Sequence, residues 1–215
     1  LEPSGDLLWE RFHGPKLNPH LQWFCPPPSY SLLANPSCLE LATAASTDFW
    51  QRTHYGFQAD NGHFLYAAID GDFLLSTDVE FQGLHQYDQA GLMVRYNADN
   101  WLKTSVEFEP NAPAQPKVPN GPSIPNRLGA VLTRDGFSDW STQDIPKDLH
   151  RLQLRIHRRQ STLLVEAQLP QASAFTQLRL AHLEGEGPIL AGVYACSPKQ
   201  AGFRARFYAL RIQRL

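Results

Sequence analysis

Alternation of apolar and polar residues with period two, cut at short intervals by turn residues, constrains this chain more than any other feature. The clearest runs are Phe73–Phe81, Ala90–Tyr96, Trp101–Phe108, Leu128–Thr133, Leu152–His157, Leu163–Leu169, Leu178–Leu183, Ile189–Cys196 and Phe203–Ile212. Helical spacing is almost absent. Turns read at Asp70-Gly71-Asp72, Asn97–Asn100 and Arg158–Ser161. Roughly a dozen strands predict an all-β fold, a two-layer antiparallel β-sandwich of jelly-roll type. A length of 215 residues suits a single domain over 1–215 with one large core. Up to about Pro36 the chain is Pro-rich and irregular. Short strands at Leu7–Phe12 and Leu21–Phe24 are expected there, closing the sandwich edge beside the C-terminal strand.

One segment departs from the pattern. Pro110, Pro113, Pro116, Pro119, Pro122 and Pro125 recur at every third residue within 109–127. Three residues per turn is the polyproline II repeat, so these prolines share one stripe. Proline lacks the N–H that a sheet interior needs. The segment reads as a proline-rich insertion, a surface arm lying on the protein's own aromatics. Packing in a homodimer and docking to an SH3-like partner are the other readings.

Alternate side chains of a strand point to opposite faces. In TDFWQRTHYGFQADNGHFLY (47–66), read as extended, Phe49, Thr53, Tyr55 and Phe57 share one face, and Asp48, Trp50, Arg52 and His54 the other. Two later strands split likewise. Ala90, Leu92, Val94 and Tyr96 oppose Gln89, Gly91, Met93 and Arg95; Leu102, Val106 and Phe108 oppose Trp101, Lys103, Ser105 and Glu107. These two strands are expected to form a hairpin. Pairing Arg95 with Lys103 sets like charges opposite. Pairing Arg95 with Trp101 and Gln89 with Glu107 avoids this and lets guanidinium stack on indole, worth about 0.5–1 kcal/mol. Either register leaves Gly91 near Glu107 with no side chain to block approach. Aromatic plates beside directional donors and acceptors suit a polyhydroxylated ligand such as a carbohydrate. The plain alternative is a solvated sheet face laced with salt bridges. Asp60-Asn61-Gly62-His63 reads as a turn, with His63 either a site group or a structural hydrogen-bond partner. Ser138-Asp139-Trp140-Ser141 reads as a turn or as a rim loop lending Trp140 to the groove.

Lys plus Arg number 19 against 21 Asp plus Glu, a net charge of −2, which argues against nucleic-acid or anionic-membrane binding. No run of apolar residues is long enough to span a bilayer. The opening LEPSGDLLWERF lacks the apolar stretch of a signal peptide, so a cytoplasmic location is expected. Cys25, Cys38 and Cys196 are irregularly spaced and read as reduced thiols. Histidines are scattered without HxH or HExxH, so no metal and no cofactor is expected, although Asp70-Gly71-Asp72 or Asp60-Asn61 could hold a structural calcium.

TDFWQRTHYGF, DNGHF, YDQAGLMVR, Trp101/Lys103 with Glu107, and SDWS occur in order between Leu39 and Ser197. In these motifs the chain resembles the regulation-of-enolase-protein-like family. The resemblance implies a concanavalin A-like lectin/glucanase sandwich, brings no agreed reaction, and touches carbon metabolism only through the family's name. The matching positions are Asp48, Trp50, His54, Tyr55, Asp60, His63 and Asp88, followed by Gln89, Arg95, Trp101, Lys103, Glu107, Asp139 and Trp140. The proline insertion is longer than the family's expected turn.

Two functions are weighed. One is a binding module that holds a carbohydrate or similar small polar ligand on a concave sheet face, with a regulatory role. The other is a glycoside hydrolase or lyase with Glu107 as the catalytic acid. Hydrolysis needs a second carboxylate about 5–5.5 Å or about 6.5–9.5 Å away. The ExDxxE-like run that the resemblance leads one to expect on one strand is missing, so Asp48, Asp88 or Asp139 would have to supply it. Binding without chemistry is the preferred reading.

Overall fold

The computed structural model describes residues 5–110 and 126–215. Within them the alternating runs fold into antiparallel strands, and no helix is long and apolar enough to cross a membrane. One sheet runs in spatial order Thr176–His182 (β15), Thr162–Gln168 (β14), Arg151–Arg159 (β13), Phe73–Phe81 (β8), Arg204–Arg214 (β17), Ser37–Ala42 (β4) and Ser29–Ala34 (β3). Gly5–Glu10 (β1) pairs with β17 beyond the end of β4. The second sheet runs Phe137–Ile145 (β12), Asn126–Arg134 (β11), Asn100–Phe108 (β10), Gln89–Asn97 (β9), Ile189–Cys196 (β16), His63–Ile69 (β7) and Gln22–Phe24 (β2). Phe49–Gln51 (β5) and Gln58–Asp60 (β6) form a separate hairpin. The fold is the expected antiparallel β-sandwich, with more strands than the alternation alone revealed.

The differences are local. The first strand pairs with β17 as expected, but Gln22–Phe24 pairs with β7 in the other sheet. SDWS is not a loop; it lies within the first half of β12. Asp135 and Gly136 make the turn, both with positive φ, a two-residue hairpin reversal. The proline insertion joins β10 to β11. Its segment from 111 to 125, and with it the expected stripe and homodimer contact, lies outside the described residues.

The β9–β10 register pairs Arg95 with Trp101 and Gln89 with Glu107, as charge avoidance predicts. Parity then sorts the side chains. Leu92, Val94, Leu102, Val106, Leu128 and Leu132 face the other sheet and join the main core with Leu75, Val79, Leu154, Phe207 and Ile212. The outer face of the second sheet carries a smaller cluster: Met93, Trp101, Val131, Tyr194 and Cys196, capped by Phe49 from the β5–β6 hairpin. The Phe49 ring meets Trp101 and Tyr194 edge-on, each at 6.1 Å between centroids. Gly62 follows β6 and permits this packing: a Cβ there would come within 2.4 Å of both Cys196 Sγ and the Phe49 ring.

Two ion pairs hold the hairpin down. Arg95 and Lys103 are buried on the outer face, and each needs an anion. Asp60, the last residue of β6, takes both terminal nitrogens of Arg95, with Nη2–Oδ2 at 2.8 Å. Asp48, just before β5, accepts from Lys103 Nζ at 3.0 Å. The hairpin also leans on the β11–β12 turn, where the Gln51 amide donates to Ser138 Oγ and Arg52 to the Gly136 carbonyl.

Removing Asp60 strands a buried guanidinium, so Asp60→Ala is expected to lower unfolding free energy by about 3–5 kcal/mol. The exposed Asp78–Arg151 pair is also bidentate, through Nε and Nη2, yet Asp78→Ala should cost under about 1 kcal/mol. Urea denaturation of both variants gives the comparison; similar losses would mean the hairpin does not depend on its buried pair.

Candidate functional site

The β5–β6 hairpin covers only part of the outer face. Register defines what it leaves open across β9 to β12. One row is Met93, Lys103, Val131 and Trp140; the next is Gly91, Ser105, Gly129 and Thr142; the third is Gln89, Glu107, Arg127 and Asp144. The middle row is made of small side chains, so the sheet surface dips along it. At Gly91 no larger residue fits, because a Cβ would sit 1.9 Å from the Thr104 carbonyl oxygen. A groove of ≈ 380 Å³ opens over these rows. Lys103, Val131 and Trp140 line it from one row, Gln89 and Glu107 from the other. The loop after β5 adds Trp50, His54, Tyr55 and Phe57; Asp48, Tyr87, Pro198 and Lys199 close the end.

That loop is tightly turned. Arg52, His54, Tyr55 and Gly56 all have positive φ, a conformation costly for residues with a Cβ and commonest where a site needs it. The Trp50 indole N–H donates to the Thr53 carbonyl at 2.6 Å, fixing the plane of that ring. Tyr55 and Phe57 therefore do not enter the core with Phe49, as continuous alternation had implied. Tyr55 is 86% exposed and its ring lies tilted against His54 with centroids 3.6 Å apart.

The floor of the groove is polar and internally bonded. Lys103 donates to Asp48 and, at 2.8 Å, to Gln89 Oε1, which also receives the Tyr194 hydroxyl at 3.0 Å. Gln89 Nε2 in turn donates to the Tyr87 carbonyl and toward Asp48. Lys199 stands 5.5 Å from the Tyr87 ring at the rim. Glu107 differs. It is half-buried, and burial pushes its carboxyl up to about 8, with Lys103 pulling it down and Asp48 and Glu109 pushing it further up. At neutral pH it is largely the protonated acid.

The groove thus brings together Asp48, Trp50, His54, Tyr55, Gln89, Lys103, Glu107 and Trp140 of the expected site residues. The others go elsewhere. Trp101 has no exposed surface, so it offers no plate to a ligand; the hairpin's Phe49, itself buried, packs over it where a ligand would lie. Arg95 does not stack on it. Its guanidinium lies 4.7 Å from the Phe24 ring and is taken by Asp60, because a bidentate carboxylate outweighs a cation–π contact. Asp60 borders a neighbouring cavity of ≈ 460 Å³ that shares Asp48, Phe57 and Pro198 with the groove. His63 is buried and structural. Its Nε2 accepts from the Ala44 amide and its Nδ1 bonds the Cys25 carbonyl. Asp88 is buried too, accepting from the Leu84 and His85 amides and the Ser197 hydroxyl. Asp139 points away from Trp140 and pairs with Arg179 of β15, tying the two sheets at their edge. Tyr87, Pro198 and Lys199 lie in loops, where alternation carries no information. Arg127 was hidden at the end of the proline insertion. Among the described residues, no group of His, Cys, Asp or Glu could hold a metal ion, and the three cysteines are free.

Comparison with known proteins agrees with the fold. The chain is 32% identical over 169 residues to "Regulation of enolase protein 1" of Saccharomyces cerevisiae, covering 78% of this chain and 77% of that protein. It superimposes with a TM-score of 0.78 on the crystal structure of a functionally unknown protein from Saccharomyces cerevisiae, at 28% identity, covering 91% of this chain and 97% of that one. The GH43 protein BlXynB from Bacillus licheniformis gives a TM-score of 0.72 at 14% identity, covering 96% of this chain and 39% of that one, a likeness of fold alone. The sequence pattern of one family spans residues 23–215, nearly the whole sandwich, and the chain belongs to that family, described as "Protein of unknown function (DUF1349)".

Proposed function

We propose that this protein is a binding module that holds a saccharide in the groove over β9–β12. The observation that carries this is the pairing of aromatic plates with a fixed polar floor. Trp140 is 41% exposed on a strand, and Trp50, Tyr55 and Tyr87 stand around the same depression. Exposed indole on a regular strand is costly in water and gains from an apolar partner. Sugar rings offer a C–H face for such plates and hydroxyls for Gln89, Lys103 and Glu107. The bonds within the floor set the direction of each donor before a ligand arrives, which lowers the ordering cost of binding.

Glycoside hydrolysis is the second reading, favoured by a protonated Glu107 in the same groove as Asp48. Asp48, however, already accepts from Lys103, from Gln89 and from the Phe49 amide. Those bonds suit a residue that anchors the hairpin better than one that attacks a sugar or activates water. Release of reducing ends from a broad glycan panel, lost in Glu107→Gln, would favour hydrolysis over binding.

Trp140→Ala is expected to weaken saccharide binding about tenfold, the loss of one stacking plate. The melting temperature should stay within a few degrees, since the ring is outside both cores. Calorimetric titration beside a thermal melt checks this, and unchanged affinity would remove Trp140 from the site. Glu107 also gives a signature in stability. Its folded carboxyl titrates near 8 against an ordinary value of 4.5, so between these the folded chain keeps a proton that the unfolded chain releases. Stability should therefore fall as pH rises through that window and level off above it. Glu107→Gln removes the penalty. It should gain about 1–3 kcal/mol over the parent at about pH 8 and almost nothing near pH 4. A constant difference across that range would contradict a raised carboxyl.

A further inference from the structure

The depression does not stop at Asp48. Asp48, Phe57 and Pro198 line both the groove and the neighbouring cavity of ≈ 460 Å³, whose other walls include Ser46, Gln58, Asp60 and Asn61. These three residues stand between the two spaces as a sill with surface on either side. Trp50 and Trp140 line only the groove, and Gln58 and Asp60 only the second cavity. Phe57 is 48% exposed, so packing does not consume its ring.

Register gives the length. Lys103, Val131 and Trp140 are cross-strand neighbours on β10, β11 and β12, so Trp140 stands two strand spacings, about 10 Å, from Lys103. Lys103 Nζ turns the other way, to Gln89 of β9 and to Asp48 at 3.0 Å. One pyranose ring is narrower than that gap. A sugar resting on Trp140 reaches Asp48 only through a second ring, and Gln58 only through another beyond the sill. The chemistry changes across it. Among the described residues lining the second cavity, none is Lys, Arg or His; its charged groups are Asp48 and Asp60. Each oxygen of Asp60 accepts from Arg95 and keeps a further lone pair. Carboxylates so placed accept from hydroxyls and repel anions. Gln58 adds an exposed amide with donors and an acceptor. The Asn61 amide is spent on the Asp48 N–H and the Ser46 carbonyl, which holds the wall in shape.

Resting on the saccharide-binding reading above, we infer that the site takes a neutral oligosaccharide of three or more rings. The chain runs from Trp140 along the groove, crosses Phe57 and Pro198, and sets its far ring beside Gln58 and Asp60. Beyond the sill that ring lays its C–H face against Phe57 and donates its hydroxyls to Asp60. A monosaccharide fills one space and leaves the other to water. Contacts on both sides of the sill are made together only by one continuous chain, whose first rings hold the last one close to its own subsite. The site thereby discriminates by chain length, with stacking on one side and hydrogen bonds on the other.

The test is calorimetric titration of the full chain with matched pairs: cellobiose and cellotetraose, xylobiose and xylotetraose, maltose and maltotetraose, and the anionic pair digalacturonate and tetragalacturonate. In a neutral pair that binds, the tetrasaccharide should bind about thirtyfold tighter, the gain of a ring contact and a hydrogen bond on top of its extra binding registers. The galacturonate pair should show no gain beyond those registers. Gln58→Ala should cut the neutral ratio about fivefold, the loss of one hydrogen bond. Its fold should hold, because the side chain is exposed. Phe57→Ala should lower the ratio too, whereas Trp140→Ala should weaken both members of a pair alike. A ratio that registers alone explain, or one that survives both Gln58→Ala and Phe57→Ala, would overturn the second subsite and leave the saccharide groove standing. A larger gain in the galacturonate pair would overturn the neutral chain. Binding of none of these sugars would sink both readings together.

Discussion

Two cations on the outer face of a sheet organise this molecule. Arg95 and Lys103 are buried on β9 and β10, in strands whose other face is the main core. A buried cation without an anion is among the most destabilising arrangements a fold can hold. The anions come from outside the sheet, from Asp48 and Asp60 at the two ends of the β5–β6 hairpin. The hairpin must lie where it does, because only there do both carboxylates reach both cations. Phe49 between them fills the space over Trp101 and Tyr194. Ion pairs and ring packing fix the same position, one by charge and one by shape.

This placement also makes the groove. The hairpin covers Met93, Trp101 and Tyr194 and stops short of Glu107 and Trp140. One sheet face is thereby divided into a second core and an open site. Lys103 belongs to both. Its ammonium is bonded to Asp48, which anchors the hairpin, and to Gln89, which lines the groove. The site's floor is therefore as rigid as the docking of the hairpin. The turned loop after β5, with its positive-φ residues, carries Tyr55 to the groove's edge from that same anchored base. A fixed floor with an exposed aromatic rim suits recognition more than large motion.

Pleat parity was legible in the sequence, and so was the hairpin register, because both follow from local rules: alternation for one, avoidance of Arg95 facing Lys103 for the other. Exposure was not legible. Parity says that Trp101 and Glu107 share a face, but whether that face meets water depends on a hairpin docked from elsewhere in the chain. Continuous alternation through Thr53–Phe57 suggested a long strand where the backbone instead turns through positive φ, and nothing in Arg52, His54 or Tyr55 announces that turn. His63 and Asp88 look like site groups by type. Only their contacts, with the amides of Ala44, Leu84 and His85, reveal structural roles. Asp135-Gly136 was a readable hairpin signal that would have extended β12 through Trp140.

The contrast between Asp60 and Glu107 shows how one face can hold both a closed ion pair and an open carboxyl. Both carboxyls sit on the outer side of the second sheet, and each has an arginine as neighbour. Asp60 closes a bidentate fork on Arg95 and leaves neither group free for a ligand. Glu107 stands beside Arg127 without closing the fork, and burial holds it protonated. Among the described residues the fold forms no ion pair at the second position, and Arg127 Nε is without a hydrogen-bond partner there. That loss is tolerable because the first position, with Lys103–Asp48, already secures the hairpin. Glu107 thus lies in the stretch of the sheet that the hairpin leaves open, where it lines the groove instead of closing an ion pair.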